Sequence, residues 1–505
     1  MFIMSTAALP APYQAHAAWF EQHIPFFDCP DPVIRELYYF RWDVYRQHLQ
    51  RTPAGYVVTE FLPNVPWAGP YNTIVCAVGH HLYEGRWLRQ PQYLDDYTRF
   101  WFQDIGAEPR AYSCWLADAV YARYLVTGDA LLPLTLLDNL IANYSGWEAE
   151  RSDEHGLFWQ IDDLDGMEYQ ISGSGCRPTL NSYLYGDALA IARIATLAGQ
   201  DHTARQYANK ATNMKRAIQA YLWDTSAQFF KTLPTASALA HQERHDAYRR
   251  HSLPPQQEAG KLAPVRELQG YIPWYFGLPD PGYEQAWIHL RDQQGFAAPY
   301  GPSTAERRNA YWQAGPHDDQ HECLWRGSSW PYATSQALVA LANLLTLYDQ
   351  TAMTKQDYFD LFHCYSRTQH LRRIDGAILP WIDESVDPDT GEWVTRAMLY
   401  RRQRADRDRG TNYNHSTYAD HIITGLVGLR PRSDAVLEIN PLLPDDTWDY
   451  FLAEDVPYHG HRLTILYDRD GSHYDAGVGL ITFVDGRLLG TRENLGPMSL
   501  PLTQA

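Results

Sequence analysis

Two acidic clusters lie more than two hundred residues apart in this chain, each among aromatic residues and glycines. The first is Asp162-Asp163-Leu164-Asp165-Gly166-Met167-Glu168-Tyr169. The second is Trp381-Ile382-Asp383-Glu384-Ser385, followed by Asp387-Pro388-Asp389-Thr390-Gly391. Two carboxyl groups facing each other across an aromatic pocket can break a glycosidic bond, one protonating the leaving oxygen while the other activates a water. The four acids between 162 and 168 repel one another, which raises at least one pKa, as a general acid working near neutral pH requires. Clustered Asp oxygens also suit Ca2+, although Gly-Met-Glu-Tyr interrupts any EF-hand spacing. In the second cluster, Glu384 beside Trp381 can activate a water from a partly dry site; an exposed acidic loop is the competing reading.

Between the clusters, Cys323-Leu324-Trp325-Arg326-Gly327-Ser328-Ser329-Trp330 brackets an Arg and a Gly with two Trp. Arg offers planar donors to hydroxyls or carboxylates. Gly permits close backbone approach, and Trp faces stack on sugar rings. The stretch is also open to a purely structural reading. Upstream, Glu60 and Trp67 lie in a polar–aromatic loop leading to His80-His81-Leu82-Tyr83-Glu84. His80 and Glu84 share a helix face but lack an evident third metal ligand. His317-Asp318-Asp319-Gln320-His321-Glu322 lacks the HExxH spacing. Late in the chain, Asn412, Asn414 and His415 can line the same pocket or cap a helix. The candidate substrate-binding set is therefore Trp325, Arg326, Gly327, Trp330, Trp67, Glu60, His81, Tyr169, Trp381, Asn414 and His415. No GxSxG elbow, Walker loop or dinucleotide fingerprint is present, so acyl transfer, phosphoryl transfer and redox chemistry lose support.

Composition narrows the ligand. Tyr and Trp (35 and 17) outnumber the 17 Phe. That bias favours rings with a polar handle, which serve a sugar site as well as a core. The net charge, 42 minus 60 or −18, repels phosphate backbones and argues against nucleic acid. No long basic run marks an anionic membrane surface, and no apolar stretch reaches the ~20 residues of a spanning helix. The six cysteines have no CxxC spacing, so a structural zinc site is not expected; they read as buried thiols in a reducing compartment. The N-terminus lacks a basic n-region, and the expected location is cytoplasmic.

These residues need elements to hold them. Apolar residues recur at three- and four-residue intervals over 31–50, 71–88, 91–104, 110–127, 129–150, 180–198, 202–222, 282–294, 331–348, 354–371 and 414–429, predicting helices. Gly/Pro/Trp-rich connections lie between them, notably 55–70, 151–179, 296–330 and 376–413. Loops this long usually carry function. Helical hairpins closed into an (α/α)6 toroid, with the pocket at one end, fit this alternation; an open solenoid is the alternative, but no fixed repeat is visible. After residue 431 the period falls to two, with Asp485-Gly486 as a hairpin turn. The expected division is a toroid over 1–430 and a small antiparallel β appendage over 431–505. The polar segment 238–263 reads as a surface excursion or a lid.

Three blocks, in order, resemble six-hairpin glycosidases of the trehalase, mannosylglycerate hydrolase and processing α-glucosidase I type. Asp165-Gly166-Met167-Glu168 resembles that group's Gly-Met-Asp block. Trp325-Arg326-Gly327 with Trp330 resembles its Trp-Arg-Gly-Pro-x-Trp block. Glu384 ahead of Asp389-Thr390-Gly391 is similar to its Glu before a Thr-Gly turn. The resemblance implies an inverting, exo-acting hydrolase of a neutral, α-linked oligosaccharide or glycoside, with no cofactor. Glu168 is implied as general acid, with Asp165 as the alternative because Glu replaces the usual Asp. Glu384 is implied as general base, and the Trp-Arg-Gly block as a substrate contact. Ser328 replaces the usual Pro. A glycoside phosphorylase, a catalytically silent sugar-binding protein and an isomerase using His80 and His415 are the alternatives.

Overall fold

The computed structural model describes residues 9–245, 257–317, 320–373 and 375–502. Twelve helical segments carry the architecture. In chain order they are α1 (Pro32–His48), α2 (Val78–Gly85), α3 (Gln92–Gln103), α4 (Leu116–Thr127), α5 (Leu131–Arg151), α6 (Pro178–Leu197) and α7 (Asp201–Tyr221). There follow α8 (Ile272–Tyr275, continuing a 3-10 turn over Leu268–Tyr271) and α9 (Ile288–Arg291, continuing one over Glu284–Trp287). The last three are α10 (Pro331–Leu347), α11 (Lys355–Thr368) and α12, a π-helical segment over His421–Leu426.

The even-numbered helices contact one another in succession, α2–α4–α6–α8–α10–α12, and the odd-numbered ones lie outside them. Their sequences explain the two layers. Helices α6 and α10 are buried almost all round, as an inner stave must be. Helix α7 instead buries only Tyr207, Ala211, Met214 and Ile218, one stripe at helical spacing. The ring closes on polar groups. The Glu84 carboxylate at the end of α2 accepts the backbone N–H groups of Tyr418, Ala419 and Asp420 at 2.9–3.0 Å. On the outer layer, α11 packs against α1. Arg41 of α1, 1% exposed, donates to the Tyr365 hydroxyl (3.1 Å), Gln369 Oε1 (3.0 Å) and the Ser416 carbonyl (2.7 Å). Asp31 starts α1 by accepting from Val33 and Ile34, with Pro32 in the first turn.

The β-structure is antiparallel. Strands β1 (Phe26–Asp28), β4 (Tyr450–Tyr458), β5 (His461–Asp468), β6 (Gly479–Val484) and β7 (Arg487–Arg492) form one sheet in that order. Strands β2 (Leu429–Arg430), β3 (Val436–Ile439) and β8 (Met498–Pro501) form another. The fold is thus dominated by stacked helices with a small C-terminal antiparallel appendage. Two details differ from the sequence reading. The larger sheet takes its edge strand from residues 26–28, with Phe27 opposite Ala453. Leu429 and Arg430, assigned to the helical part, pair with Ile439 and Glu438.

Helix boundaries differ where the chain turns aside to build the pocket. Residues 110–115 precede α4 as a loop, with the Ser113 N–H donating to the Leu164 carbonyl at 2.9 Å. The segment expected as a helix over 414–429 is not helical before residue 419, because Glu84 takes the N–H groups of Tyr418, Ala419 and Asp420 that a helix begun at 414 would direct to its own carbonyls. The sequence 282–294 yields only two short turns. Of the polar segment 238–263, a helix covers Ala236–His245. Gln257 and Ala263 return to the body, donating to the Ile171 and Thr232 carbonyls at 2.8 and 3.0 Å. Residues 246–256, on which the lid reading turns, lie outside the described residues. No described helix is long and apolar enough to cross a membrane.

Candidate active site

The N-terminal ends of the inner helices and the loops before them enclose a cavity of about 340 Å³. Each wall comes from a different long connection.

The first acidic cluster does not behave as one group. Asp162 closes its own turn, its carboxylate accepting the N–H of Asp163 (3.0 Å) and of Tyr169 (2.9 Å). Asp165 turns inward. It and Arg177 are both fully buried and form an ion pair at 2.7 Å, with the Thr179 hydroxyl also on Asp165. Gly166, at φ 70°, reverses the chain beside Cys76. Asp163, Gly166 and Glu168 remain facing the cavity. Asp165, the alternative acid, thus lies buried in an ion pair and does not line the cavity. Replacing Arg177 by Met leaves its carboxylate buried without a countercharge. The expected cost is about 3–5 kcal/mol, read as a fall in the denaturant midpoint.

Glu168 is tied to the Trp-Arg-Gly block by backbone, its carbonyl accepting the Trp325 N–H at 3.0 Å. Burial pushes its carboxyl up to about 8, with Glu384 and Asp162 adding repulsion. Its own backbone and the Trp325 side chain oppose this more weakly. Desolvation, rather than crowding within the cluster, is the larger cause.

Trp325 and Trp330 stack at 4.2 Å between ring centroids and line the cavity together. Arg326 and Gly327 serve a different purpose. Gln313 bridges to Gly327, its N–H donating to the Arg326 carbonyl at 3.0 Å, and Arg326 Nη2 donates to Gln313 Oε1 at 3.2 Å. A Cβ on Gly327 would stand 2.1 Å from the Gln313 carbonyl oxygen. The glycine admits a neighbouring strand of the protein's own chain, not a ligand. Gly327→Ala is expected to cost about 1–3 kcal/mol through this overlap, measured by chemical denaturation.

Glu384, 2% exposed, lies in the opposite wall. Its N–H is held by Asp383 Oδ1 at 2.8 Å. Its Oε1 pairs with Arg409 Nε at 3.1 Å, and the Cys323 thiol lies 3.7 Å from Oε2. Arg409 also reaches Glu322 Oε1 (3.0 Å) and Asp406 Oδ2 (3.1 Å), and its guanidinium sits 5.0 Å from the centroid of the Trp67 ring. These anions, led by Glu384, outweigh desolvation and hold Arg409 firmly cationic. Beside them, Glu60 Oε2 and His415 Nε2 stand 3.6 Å apart, both residues 3% exposed. Neither atom has a hydrogen-bond partner among the described residues. Burial, then repulsion from Glu384 and Glu168, raises Glu60 well above the usual carboxylate range, against the pull of Arg409. Burial, with nearby His81, His48 and His80, keeps His415 neutral.

The cavity thus brings together Glu168, Glu384, Trp325, Trp330, Trp67, Glu60 and His415. It leaves out His81, Tyr169, Trp381 and Asn414, as well as Asp165, Arg326 and Gly327. His81 spends both ring nitrogens on the Tyr97 hydroxyl (3.0 Å) and the Asn414 carbonyl (2.8 Å), bracing the wall from behind. Trp381 is covered by the Arg396 guanidinium at 4.9 Å. Tyr169 is buried beside His321, in a left-handed conformation (φ 60°). Among the described residues no group of three His, Cys, Asp or Glu side chains is placed to hold a metal ion. Of the His317–Glu322 run, Asp318 and Asp319 lie outside the described residues, while His321 and Glu322 reach the cavity. Sequence reasoning did not single out Arg409, Tyr112, Phe61 or Tyr413, all of which line it. For Phe61 and Tyr413 the aromatic loop context was the available signal.

Known proteins share this fold. A chain described as a sialidase is 40% identical and superposes with a TM-score of 0.86 over 98% of this chain, which spans only 42% of that longer one. A GH63 mannosylglycerate hydrolase from Thermus thermophilus, solved with Tris and D-glycerate, shares the fold at 12% identity (TM-score 0.54), matching 77% of this chain and 100% of its own. A GH78 family rhamnosidase from Bacillus sp. GL1 shares it at 11% identity (TM-score 0.55), over 89% of this chain and 40% of its own. The pattern of the mannosylglycerate hydrolase MGH1-like glycoside hydrolase domain runs through residues 70–416, which include the cavity-lining residues other than Glu60, Phe61 and Trp67. The chain belongs to that glycoside hydrolase family, with its six-hairpin (α/α)6 architecture.

Proposed function

We propose that the protein is an inverting, exo-acting glycoside hydrolase of α-linked glycosides, with Glu168 as general acid and Glu384 as general base. The observation that carries this reading is the contrast between two carboxyl groups in one aromatic cavity. Glu168 is pushed up to about 8 by burial and so holds a proton at neutral pH. Glu384 stands in an ion pair with Arg409. One is equipped to give a proton to the leaving oxygen, the other to take one from water. Trp325 and Trp330 offer an aromatic wall for the sugar. A cavity of about 340 Å³ is at the small end for ligand sites, which suits a terminal residue rather than a chain passing through.

Two readings of the terminal sugar differ in charge. Glu60, Asp163, Glu168, Glu322 and Glu384 line the cavity. Its arginine, Arg409, is already shared among three carboxylates. That supports a neutral sugar. The likeness to the chain described as a sialidase supports an α-linked sialic acid, whose carboxylate would have to compete for Arg409. Hydrolysis of a panel of α-linked neutral disaccharides and an α-sialoside, followed by proton NMR of the first-formed anomer, tests both. Release of the β-anomer from a neutral α-glycoside is the expected result. Release of the α-anomer overturns inversion, and turnover of the sialoside alone overturns the neutral assignment.

A further inference from the structure

A second cavity, of about 310 Å³, opens at the other end of the inner helices. Tyr83 and Arg86 at the end of α2, Tyr275 of α8, and Asn343 and Thr346 in the last turns of α10 form its helical side; Arg430 of β2 and Glu438 of β3 form the other. Tyr332 of α10 lines the carboxylate cavity and Thr346 lines this one. At 1.5 Å per residue the two lie about 20 Å apart along one helix. They are separate sites, and the chemistry of the second is independent of the reaction assigned to the first.

The charge here is unusual for a chain of net charge −18. Three arginines, Arg86, Arg430 and Arg432, face two carboxylates, Asp420 and Glu438. Both carboxylates are taken. Asp420 Oδ1 accepts from Arg86 (2.8 Å) and the Trp87 indole (2.7 Å), and Glu438 pairs with Arg432 at 2.6 Å. Arg430 enters no ion pair among the described residues. Its Nε is buried without an acceptor there. Its Nη2 has only the Ala342 carbonyl at 3.4 Å, which already accepts the Thr346 hydroxyl at 2.7 Å. The carbonyl end of α10 offers partial negative charge, but one long contact leaves a guanidinium fork largely unsatisfied in a cavity large enough for a ligand.

We propose that this cavity is a second ligand site, for a small oxyanion, with Arg430 as its anchoring cation. An anion with two or more oxygens in a plane matches the planar guanidinium fork. The shared chemistry covers a phosphate and a short carboxylate. Titration calorimetry with inorganic phosphate and, separately, malonate at fixed ionic strength distinguishes them. Wild type is expected to bind at least one of them saturably. Arg430→Gln is expected to weaken that binding about tenfold or more, as loss of a charged hydrogen bond does, without changing glycoside hydrolysis in anion-free buffer. Arg430→Lys keeps the charge but not the fork; it is expected to fold and bind in between, which keeps the test open if the Gln variant does not fold. Arg409→Gln, in the other cavity, is expected to leave anion binding unchanged. Absence of binding of both anions, equal binding by wild type and Arg430→Gln, or loss with Arg409→Gln overturns the assignment.

Discussion

Replacing Glu168 by Gln lowers kcat on an unactivated α-glycoside by about 10²–10⁴-fold, the range that a positioned general acid supplies. The loss depends on the leaving group. A dinitrophenyl glycoside departs without protonation, so the variant recovers most of the wild-type rate on it. The pH profile gives a second readout. Because burial raises the Glu168 carboxyl to about 8, wild-type activity falls as pH rises through that value, and the limb disappears in the variant. Stability follows the same sign. A carboxyl raised above its ordinary 4.5 contributes stability that is complete below that ordinary value and is lost as pH rises through the folded one. Gln carries no such proton, so the variant gains on wild type in denaturation midpoint between pH 5 and 9. Retention of more than about a tenth of the unactivated rate, with an unchanged alkaline limb, removes Glu168 from the acid role.

Glu384→Gln is expected to lose a similar factor, about 10²–10⁴, but on activated and unactivated substrates alike. Water must be deprotonated whatever the leaving group. The two variants therefore separate acid from base by their response to one substrate series, without reference to which sugar is bound. The fold tolerates this change. Arg409 keeps Glu322 at 3.0 Å and Asp406 at 3.1 Å, so no buried cation is stranded. Unfolding by denaturant should stay cooperative. If Glu384→Gln is rescued by the dinitrophenyl glycoside as Glu168→Gln is, the base lies elsewhere in the cavity, and Glu60 is the next carboxyl to replace.

The candidate residues that the fold brings to the cavity share a property: their chemistry and their neighbours in the chain agree. Glu168 follows a tight polar turn and Glu384 precedes one, and Trp325 and Trp330 lie just ahead of an inner helix, so a local pattern announced them. Arg326 and Gly327 sat in the same motif yet face the protein, because what distinguishes them is a partner, Gln313, that is close in space and unmarked in sequence. Arg409 lay within a run of alternating Arg and Asp, where no spacing separates the one arginine folded into the cavity from those left on the surface. The helices with one apolar stripe, such as α7, were legible from period alone. Those that end on a tertiary contact were not. Residues 414–418 have a helical pattern, but the Glu84 carboxylate, more than three hundred residues away, takes their following N–H groups and sets where α12 begins.

The edge strand at residues 26–28 bears on how the molecule is made. Phe26, Phe27 and Asp28 pair with Glu454, Ala453 and Leu452, so a nascent chain lacks that partner until residues 452–454 have left the ribosome. Hairpins completed earlier must wait with apolar inner faces exposed, the situation in which multi-element proteins aggregate or recruit chaperones. Ribosome-bound chains arrested ahead of residue 450 are accordingly expected to stay protease-sensitive near α1, and arrest well beyond the sheet to protect it. Early protection in the shorter chains would show that the seam seals without its distant strand.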